Sequence, residues 1–147
     1  MSATLEVKGL RTHFLTRAGA VKAVDGVDFS VGKGEIMGLV GESGSGKSIT
    51  GFSILGLIDP PGRIIEGSIK FNGTEIANAS ESSLQKLRGN RIAMIFQDPM
   101  TCLNPFMTIG KQLVEPLLYH KDVSKEQAKR RAIELLEEVG IRDPEDT

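Results

Sequence analysis

A loop of closely spaced glycines that ends in a lysine and a serine is the segment best suited to chemistry. Residues 41–48 read GESGSGKS, which fits the phosphate-loop pattern G-x-x-x-x-G-K-[ST]. Glycines let consecutive backbone N–H groups converge on one anion, and the dipole of a following helix adds to the attraction. The loop therefore predicts binding of nucleotide phosphates. The residues expected to form this site are Gly41, Glu42, Ser43, Gly44, Ser45, Gly46, Lys47, Ser48 and Ile49.

Two side chains of the loop have specific predicted roles toward a bound nucleotide. The Lys47 ammonium would place a point charge on the β- and γ-phosphates, so Lys47 is a predicted catalytic residue. The Ser48 hydroxyl would ligate Mg²⁺, a cation that binds oxygen ligands together with nucleotide phosphates. ATP and Mg²⁺ are therefore the expected cofactors.

A phosphate loop needs a strand before it and a helix after it, and the flanking sequence fits both. Residues 35–40 (EIMGLV) are almost continuously apolar, which is typical of a strand covered on both faces. Apolar residues then recur at helical spacing from about Lys47 until Asp59-Pro60-Pro61 stops the helix.

The remaining elements mix strands with helices. Alternating residues predict half-buried strands over 5–10 and 27–31, and residues 91–96 (RIAMIF) predict a second buried strand. Asn72-Gly73 between two polar–apolar runs predicts a hairpin with a type I′ turn. This mixture indicates an α/β fold class.

Three further helices are predicted in the second half of the chain. They cover about 81–87, 109–120 and 125–139. The last has a capping box at Ser124 and Gln127, and Gly140 ends it.

Composition limits the class of protein. The chain has 147 residues, a net charge of −1 and one cysteine, which argues against nucleic-acid binding, a disulfide framework and a cysteine-based zinc site. No apolar run approaches the roughly 18 residues of a membrane span, and the N-terminus lacks a signal-peptide pattern. These features predict one soluble cytoplasmic domain.

The order of several motifs resembles the ATP-binding subunits of ABC transporters. The resemblance is carried by residues 22–27 (KAVDGV), the phosphate loop, the hairpin over 67–76, and residues 95–100 (IFQDPM) with Leu103-Asn104-Pro105. The branch that it most resembles contains the oligopeptide, dipeptide and nickel permease ATPases. The resemblance covers essentially the whole chain. It implies a P-loop ATPase core with an antiparallel β subdomain and the start of a helical subdomain.

The resemblance also implies roles for residues outside the phosphate loop. Gln97 lies where the family's glutamine contacts Mg²⁺ and the attacking water, which makes it a predicted catalytic and metal-binding residue. The segment after it, about 98–109, would face the transmembrane permease subunits. Phe14 is the aromatic expected to stack on adenine, whereas His13 and His120 are expected at the surface without a role. A second ATPase subunit and a peripheral location on the cytoplasmic side of the membrane are implied as well.

Several motifs of the family have no counterpart in these 147 residues. We find no signature motif, no apolar strand ending in Asp-Glu, and no switch histidine. We therefore expect the N-terminal part of one longer ATP-binding domain. The β subdomain and P-loop core would cover about 1–97, and the glutamine loop with the start of the helical subdomain about 97–147. Such a chain should bind ATP but hydrolyse it poorly, and its unpaired apolar strands should favour self-association.

Three other functions fit parts of the pattern. A soluble ABC ATPase outside transport would share the phosphate loop, but Leu103-Asn104-Pro105 favours the permease branch. A P-loop kinase or GTPase would need a lid arginine cluster or a base-specificity motif, and we find neither. A passive nucleotide-binding module is the remaining alternative.

Overall fold

The computed structural model describes residues 3–97 and 102–146. It divides into two compact units, Met1–Gln85 and Lys86–Thr147. The first unit contains the sheet and the phosphate loop, and the second contains the two long helices. Each unit is described by itself. The boundaries at about residue 97 that the sequence suggests remain a prediction.

The described part of the first unit forms a four-stranded antiparallel sheet in the order β2-β1-β3-β4. Strand β1 (Leu5–Thr16) lies between β2 (Gly19–Val31) and β3 (Gly62–Phe71), and β4 (Thr74–Glu75) pairs with the end of β3. Both β1 and β2 are longer than their alternating patterns predict, because the ladder between them continues as far as Thr16 and Gly19, on either side of a turn at Arg17-Ala18. The core residues of this unit are Val7, Leu10, Val24, Leu55, Ile69, Ile76 and Leu84.

The hairpin between β3 and β4 confirms the prediction from Asn72-Gly73. Both turn residues have positive φ, 48° and 79°, as a type I′ turn requires. The Glu75 carboxylate accepts hydrogen bonds from the backbone N–H groups of Ile69 (2.8 Å) and Ala77 (3.0 Å) and from the Ser68 hydroxyl. Partial desolvation opposes ionisation, but these donors outweigh it and hold the pKa of Glu75 below its usual value.

Helix α1 (Lys47–Leu55) begins where the sequence predicts and packs on β1 and β2. A buried pair of hydroxyls fastens it, because Ser53 Oγ lies 2.8 Å from Thr12 Oγ1 on the central strand. Ser53 also donates to the carbonyl of Ile49 at 2.7 Å. Its single proton is then used, so the Thr12 hydroxyl must be the donor toward Ser53.

The two predicted buried strands are not strands in the structure. Residues 35–40 and 93–96 belong to no sheet, and Arg88 and Ile92 form only an isolated bridge. Ile36 is 98% exposed and Ile95 is 97% exposed, so the prediction of burial was wrong. A strand covered on both faces needs neighbouring strands and covering helices. Within residues 3–97 and 102–146, no strand pairs with either segment.

The three later helices are confirmed, whereas α1 ends at Leu55, before the predicted stop at Asp59-Pro60-Pro61, because Gly56 adopts a left-handed conformation (φ +63°) and caps the helix. Helix α2 (Glu81–Leu87) leads into the second unit, which contains α3 (Ile109–His120) and α4 (Lys125–Glu138). Ser124 and Gln127 form the expected capping box, and Gly140 follows α4 with φ +78°. Ala128 and Ala132 are the buried positions of α4. A short 3₁₀ turn covers Pro144–Asp146.

His13 is buried, which corrects the expectation that it lies at the surface. It is 6% exposed and lies in the interior strand β1, with Lys22 of β2 and Arg63 of β3 as its cross-strand neighbours. None of the helices in the described residues is long and apolar enough to cross a bilayer.

The Thr12–Ser53 pair provides a test of how α1 is fastened to the sheet. Ser53→Ala leaves the buried Thr12 hydroxyl without an acceptor, so we expect a loss of about 1–3 kcal/mol in the free energy of unfolding. Thr12→Val should cost less, since Ser53 keeps its bond to Ile49. The double variant should lose less free energy of unfolding than the sum of the two single losses. Urea denaturation of the three variants measures these losses.

Ser30→Ala, at an exposed position of β2, is the matched control and should leave stability nearly unchanged. Additive effects of the two buried substitutions would contradict a direct Thr12–Ser53 interaction.

Candidate phosphate-binding site

The predicted phosphate loop surrounds a small concavity of about 150 Å³ at the N-terminus of α1. The structure brings together the last part of the loop, the first turn of α1 and one residue of β2. The lining residues are Ala23, Gly44, Ser45, Gly46, Lys47, Ser48 and Ile49. Gly41, Glu42 and Ser43 precede this lining and are exposed.

Two glycines give the loop its path. Gly44 and Gly46 have φ values of +81° and +88°, in the left-handed region that residues with a Cβ rarely adopt. A Cβ on Gly44 would meet no atom within 4 Å, whereas a Cβ on Gly46 would overlap the carbonyl oxygen of Ala23. Gly46 therefore satisfies two constraints, the backbone conformation and the close approach to β2.

Ala23 is the residue of the site that sequence reasoning missed. In the pairing of β1 with β2, Thr12 faces Val24 and His13 faces Lys22, so Ala23 is the extra residue of a β-bulge. Bulges change the direction of side chains and are common beside functional sites. The sequence signal was weak, because a bulge breaks the alternation by which a strand is identified.

An ion-pair cluster surrounds Asp25, two residues beyond the bulge. The Lys22 ammonium lies 3.2 Å from its carboxylate and is the main cause of its lowered pKa, with Arg11 at 3.4 Å adding to the effect. The buried Nε2 of His13 lies 3.5 Å from the same carboxylate, beyond normal hydrogen-bond length. Of these partners, Arg11 and His13 lie in β1 and Lys22 lies in β2, so the Asp25 carboxylate is shared between the two strands.

The Lys47 side chain folds back over the loop. Its ammonium donates to the carbonyl oxygens of Gly41 (2.8 Å) and Glu42 (2.7 Å) and approaches Ser45 Oγ at 3.3 Å. The charge is thus held above the loop by weak neutral acceptors. A phosphate is a stronger acceptor for an ammonium than a neutral carbonyl, so these bonds can be exchanged for bonds to an anion.

The start of α1 offers donors that suit an anion. The first N–H groups of a helix have no partner within the helix, and Gly46, the N-cap, supplies no side-chain hydrogen bond. No acidic residue lies in the first turn. The Ser48 hydroxyl is on the exposed side of the same turn. The donor set therefore fits a phosphate group, with a hydroxyl oxygen beside it for a hard cation.

Phe14 lies in the central strand and outside the lining of the concavity. Its cross-strand neighbours are Val21 and Gly62. The ring packs over Gly62, where an added Cβ would come within 2.6 Å of a ring carbon. The side chain is half-buried. The predicted contact with adenine remains a prediction.

Gln97 belongs to the second unit and lies at an exposed bend. Its predicted role toward Mg²⁺ and water stays a prediction, and residues 98–101 lie outside the described residues. Within the part of the chain that the structure describes, no group of three or more His, Cys, Asp or Glu residues could hold a metal ion.

A larger groove of about 590 Å³ lies between α3 and α4 in the second unit. Its wall is mostly apolar, with Lys111, Lys125 and Lys129 among the lining residues. Thr108 at the N-terminus of α3 supplies a hydroxyl there, but it already accepts from the backbone N–H of Lys111, and no glycine-rich loop leads into the helix. The smaller concavity at α1 is the better candidate for phosphate binding.

Substitution of the two glycines separates backbone strain from close packing. Gly44→Ala should lower the free energy of unfolding by about 1–2 kcal/mol, the cost of a left-handed residue with a Cβ. Gly46→Ala should cost more, because the added methyl also displaces the loop from Ala23. Urea denaturation of the two variants measures the difference. Equal losses would show that Gly46 does not need its close approach to β2.

The family of the chain follows from comparison with known proteins. Residues 24–147 match the family model described as ABC transporter. The oligopeptide transport ATP-binding proteins AppD and OppD of Bacillus subtilis are 51% and 54% identical to the chain over 142 residues. The matches cover 96% of this chain but only 43% of AppD and 40% of OppD, so the chain spans less than half the length of these relatives.

A solved structure shows the same fold. The dimeric structure of MJ0796, a bacterial ABC transporter cassette, superposes with a TM-score of 0.77 at 24% sequence identity, over 90% of this chain and 56% of the cassette. This likeness confirms the predicted fold class, the P-loop ATPase core of ABC type with its antiparallel β subdomain. Together with the family match over residues 24–147, it shows that the chain belongs to the ABC transporter ATP-binding family.

Proposed function

We propose that the chain binds ATP at the N-terminus of α1. The observation that carries the proposal is the uncapped first turn of α1 behind Gly44 and Gly46, with the Lys47 ammonium directly above the loop. On binding, Lys47 exchanges the carbonyls of Gly41 and Glu42 for phosphate oxygens. The backbone N–H groups of the first turn hold the same phosphates, and Phe14 stacks on adenine.

The proposal includes Mg²⁺ as the metal cofactor. Ser48 would hold the ion with its hydroxyl, and Gln97 would contact the ion and the attacking water, as the resemblance to the family implies. When bound, the ion neutralises charge on the phosphate oxygens. We expect this chain to hydrolyse ATP slowly, because neither Lys47 nor Gln97 can act as the general base for the attacking water.

The proposed role of the parent protein is to couple ATP hydrolysis to solute import. The two relatives described above are named oligopeptide transport ATP-binding proteins, which favours peptides or similar small solutes as cargo. In this role the chain lies on the cytoplasmic side of the membrane as a peripheral subunit, and a second ATPase subunit completes the nucleotide site. Nucleic acid is not a partner.

The proposed contact with the permease subunits is the segment after Gln97, and the described end of that segment supports it. Gln112 of α3 fixes this end: its side chain accepts from Asn104 N at 2.9 Å and donates to Asn104 O and Met107 O at 3.0 Å. The fixed loop leaves Phe106 96% exposed and Leu103 48% exposed. Exposed apolar side chains on a loop whose backbone is hydrogen-bonded in this way are typical of a protein interaction site.

Self-association of this chain through its unpaired apolar segments is part of the same proposal. It concerns the 147-residue chain and does not require the permease subunits.

Substitution of the loop lysine tests nucleotide binding. Lys47→Ala should weaken ATP binding about 10- to 100-fold, because a charge-assisted hydrogen bond contributes roughly 1.5–3 kcal/mol. Isothermal titration calorimetry of the 147-residue chain with ATP and Mg²⁺ measures the dissociation constant.

Lys33→Ala is the control, since Lys33 is an exposed lysine in the turn before residues 35–40. It should leave the dissociation constant within about twofold of the unsubstituted chain. The proposal fails if Lys47→Ala binds ATP as tightly as Lys33→Ala does.

A further inference from the structure

Strand β2 contains two extra residues close to the phosphate loop. In its pairing with β1, Ala23 and Gly26 are each skipped, and between them only Val24 and Asp25 keep a cross-strand neighbour. Gly26 has a φ of +88°. Bulges bend a strand and re-aim its side chains. The two bulges therefore set the path of β2 where it passes the loop.

The bulge at Ala23 brings Lys22 and Asp25 onto the same face of the sheet. The Lys22 ammonium and the Asp25 carboxylate are 3.2 Å apart. In a regular strand, residues three positions apart point to opposite faces, and their Cα atoms lie about 10 Å apart. The ion pair therefore favours the bulged strand over a regular one.

The core leaves the register of β2 before the bulge weakly specified. Residues 19–22 are exposed at every position, whereas Val24, after the bulge, is buried. The register of a strand is strongly specified only where one of its faces is buried. The charged contacts of Lys22 and Asp25 therefore contribute to keeping Ala23 as the extra residue.

The Asp25 carboxylate also contacts the neighbouring strand. It lies 3.4 Å from the Arg11 guanidinium and 3.5 Å from His13 Nε2, both in β1. This Nε2 is buried and has no hydrogen-bond partner among the described residues. The carboxylate thus joins Lys22, on one side of Ala23, to two residues of β1.

Ala23 is the point at which β2 meets the loop. Its carbonyl oxygen occupies the space that a Cβ on Gly46 would need, and Val24 Cγ2 lies 3.5 Å from the same point. Gly46 is the N-cap of α1. A change in the path of β2 at Ala23 therefore moves the N-cap and the N–H groups that follow it. Asp25 is not among the residues that line the concavity, so its effect on a phosphate must pass through Ala23.

We propose that Asp25 is a positioning residue for nucleotide binding. Together with Lys22, it holds the bulge at Ala23, and the bulge holds Gly46 where the first turn of α1 can meet a phosphate. This role rests on the proposed binding of ATP at α1 and adds a residue that does not touch the nucleotide.

Isothermal titration calorimetry of the 147-residue chain with ATP and Mg²⁺ tests this role. Asp25→Asn keeps the size of the side chain and removes the charge that attracts Lys22 and Arg11. The dissociation constant should rise about 3- to 10-fold, the range expected when two partly exposed ion pairs are lost. Loss of a negative charge by itself would strengthen the binding of an anion, so weaker binding indicates a displaced loop.

Glu66→Gln is the matched control. The Arg11 Nε lies 3.4 Å from the Glu66 carboxylate on β3, on the side of β1 away from β2. This substitution removes a carboxylate from the same arginine but leaves the bulge intact, so the dissociation constant should not rise. The proposal is wrong if Asp25→Asn binds ATP as tightly as Glu66→Gln does.

Backbone amide chemical shifts separate positioning from a general loss of stability. In the ¹⁵N-labelled chain without nucleotide, Asp25→Asn should shift the amide of Gly46, whereas Glu66→Gln should leave it in place. A variant that is only less stable keeps the shifts of the folded chain, and circular dichroism checks that it is folded. An unchanged Gly46 amide in Asp25→Asn would overturn the proposal.

Lys22→Ala tests the ion pair from its other partner. Lys22 is exposed, so this variant should fold even if Asp25→Asn does not. It should raise the dissociation constant about 2- to 5-fold, and Arg63→Ala, which removes another exposed cation beside His13, should change it less. The double variant of Lys22→Ala with Asp25→Asn should bind ATP as weakly as Asp25→Asn alone. Effects that multiply in the double variant would contradict the proposal, because the two residues would then act separately.

The role of Asp25 and the binding of nucleotide can fail independently. If the chain binds ATP and Asp25→Asn leaves the affinity unchanged, the role of Asp25 alone is overturned. If the unsubstituted chain binds no ATP, the nucleotide proposal is overturned, and the amide of Gly46 still reports whether Asp25 positions the loop.

Discussion

The contact between Gly46 and the carbonyl of Ala23 is the constraint on which the rest of the site depends. It fixes the distance between the last turn of the loop and strand β2, and no side chain fits between the two. The bulge at Ala23 brings that carbonyl to the loop. The Thr12–Ser53 bond then holds the same helix to the central strand from its other end. Together these contacts direct the first N–H groups of α1 toward the concavity, and no acidic residue in the first turn opposes an anion there.

This geometry explains why the loop suits phosphates in particular. Uncapped N–H groups and a helix dipole attract any anion, but Lys47 adds a full charge that neutral acceptors now hold in place. Ser48 adds an oxygen that suits Mg²⁺. Family membership agrees with this chemistry. The chain covers less than half the length of AppD and OppD, so the transported solute and the contact with a permease stay proposals.

Local signals in the sequence predicted the elements that local physics determines. The Asn72-Gly73 hairpin, the start of α1 at Lys47 and the capping box of α4 are each specified within a few residues, and each is confirmed. The pattern missed Ala23 and the burial of His13, because both depend on how β1 and β2 pair over a bulge. The prediction of strands at 35–40 and 91–96 was wrong for a related reason. An apolar run becomes a buried strand only when other segments cover it. Those segments are distant in sequence, so a local pattern does not reveal them.

The most direct test of the phosphate site is a titration of the ¹⁵N-labelled chain followed by backbone amide chemical shifts. ATP and ADP should shift the amides of Gly44, Gly46, Lys47, Ser48 and Ile49 first and most, whereas adenosine, which lacks phosphates, should leave them nearly unchanged. Equal shifts with adenosine, or shifts by ATP confined to the groove between α3 and α4, would contradict the assignment of phosphate binding to the N-terminus of α1.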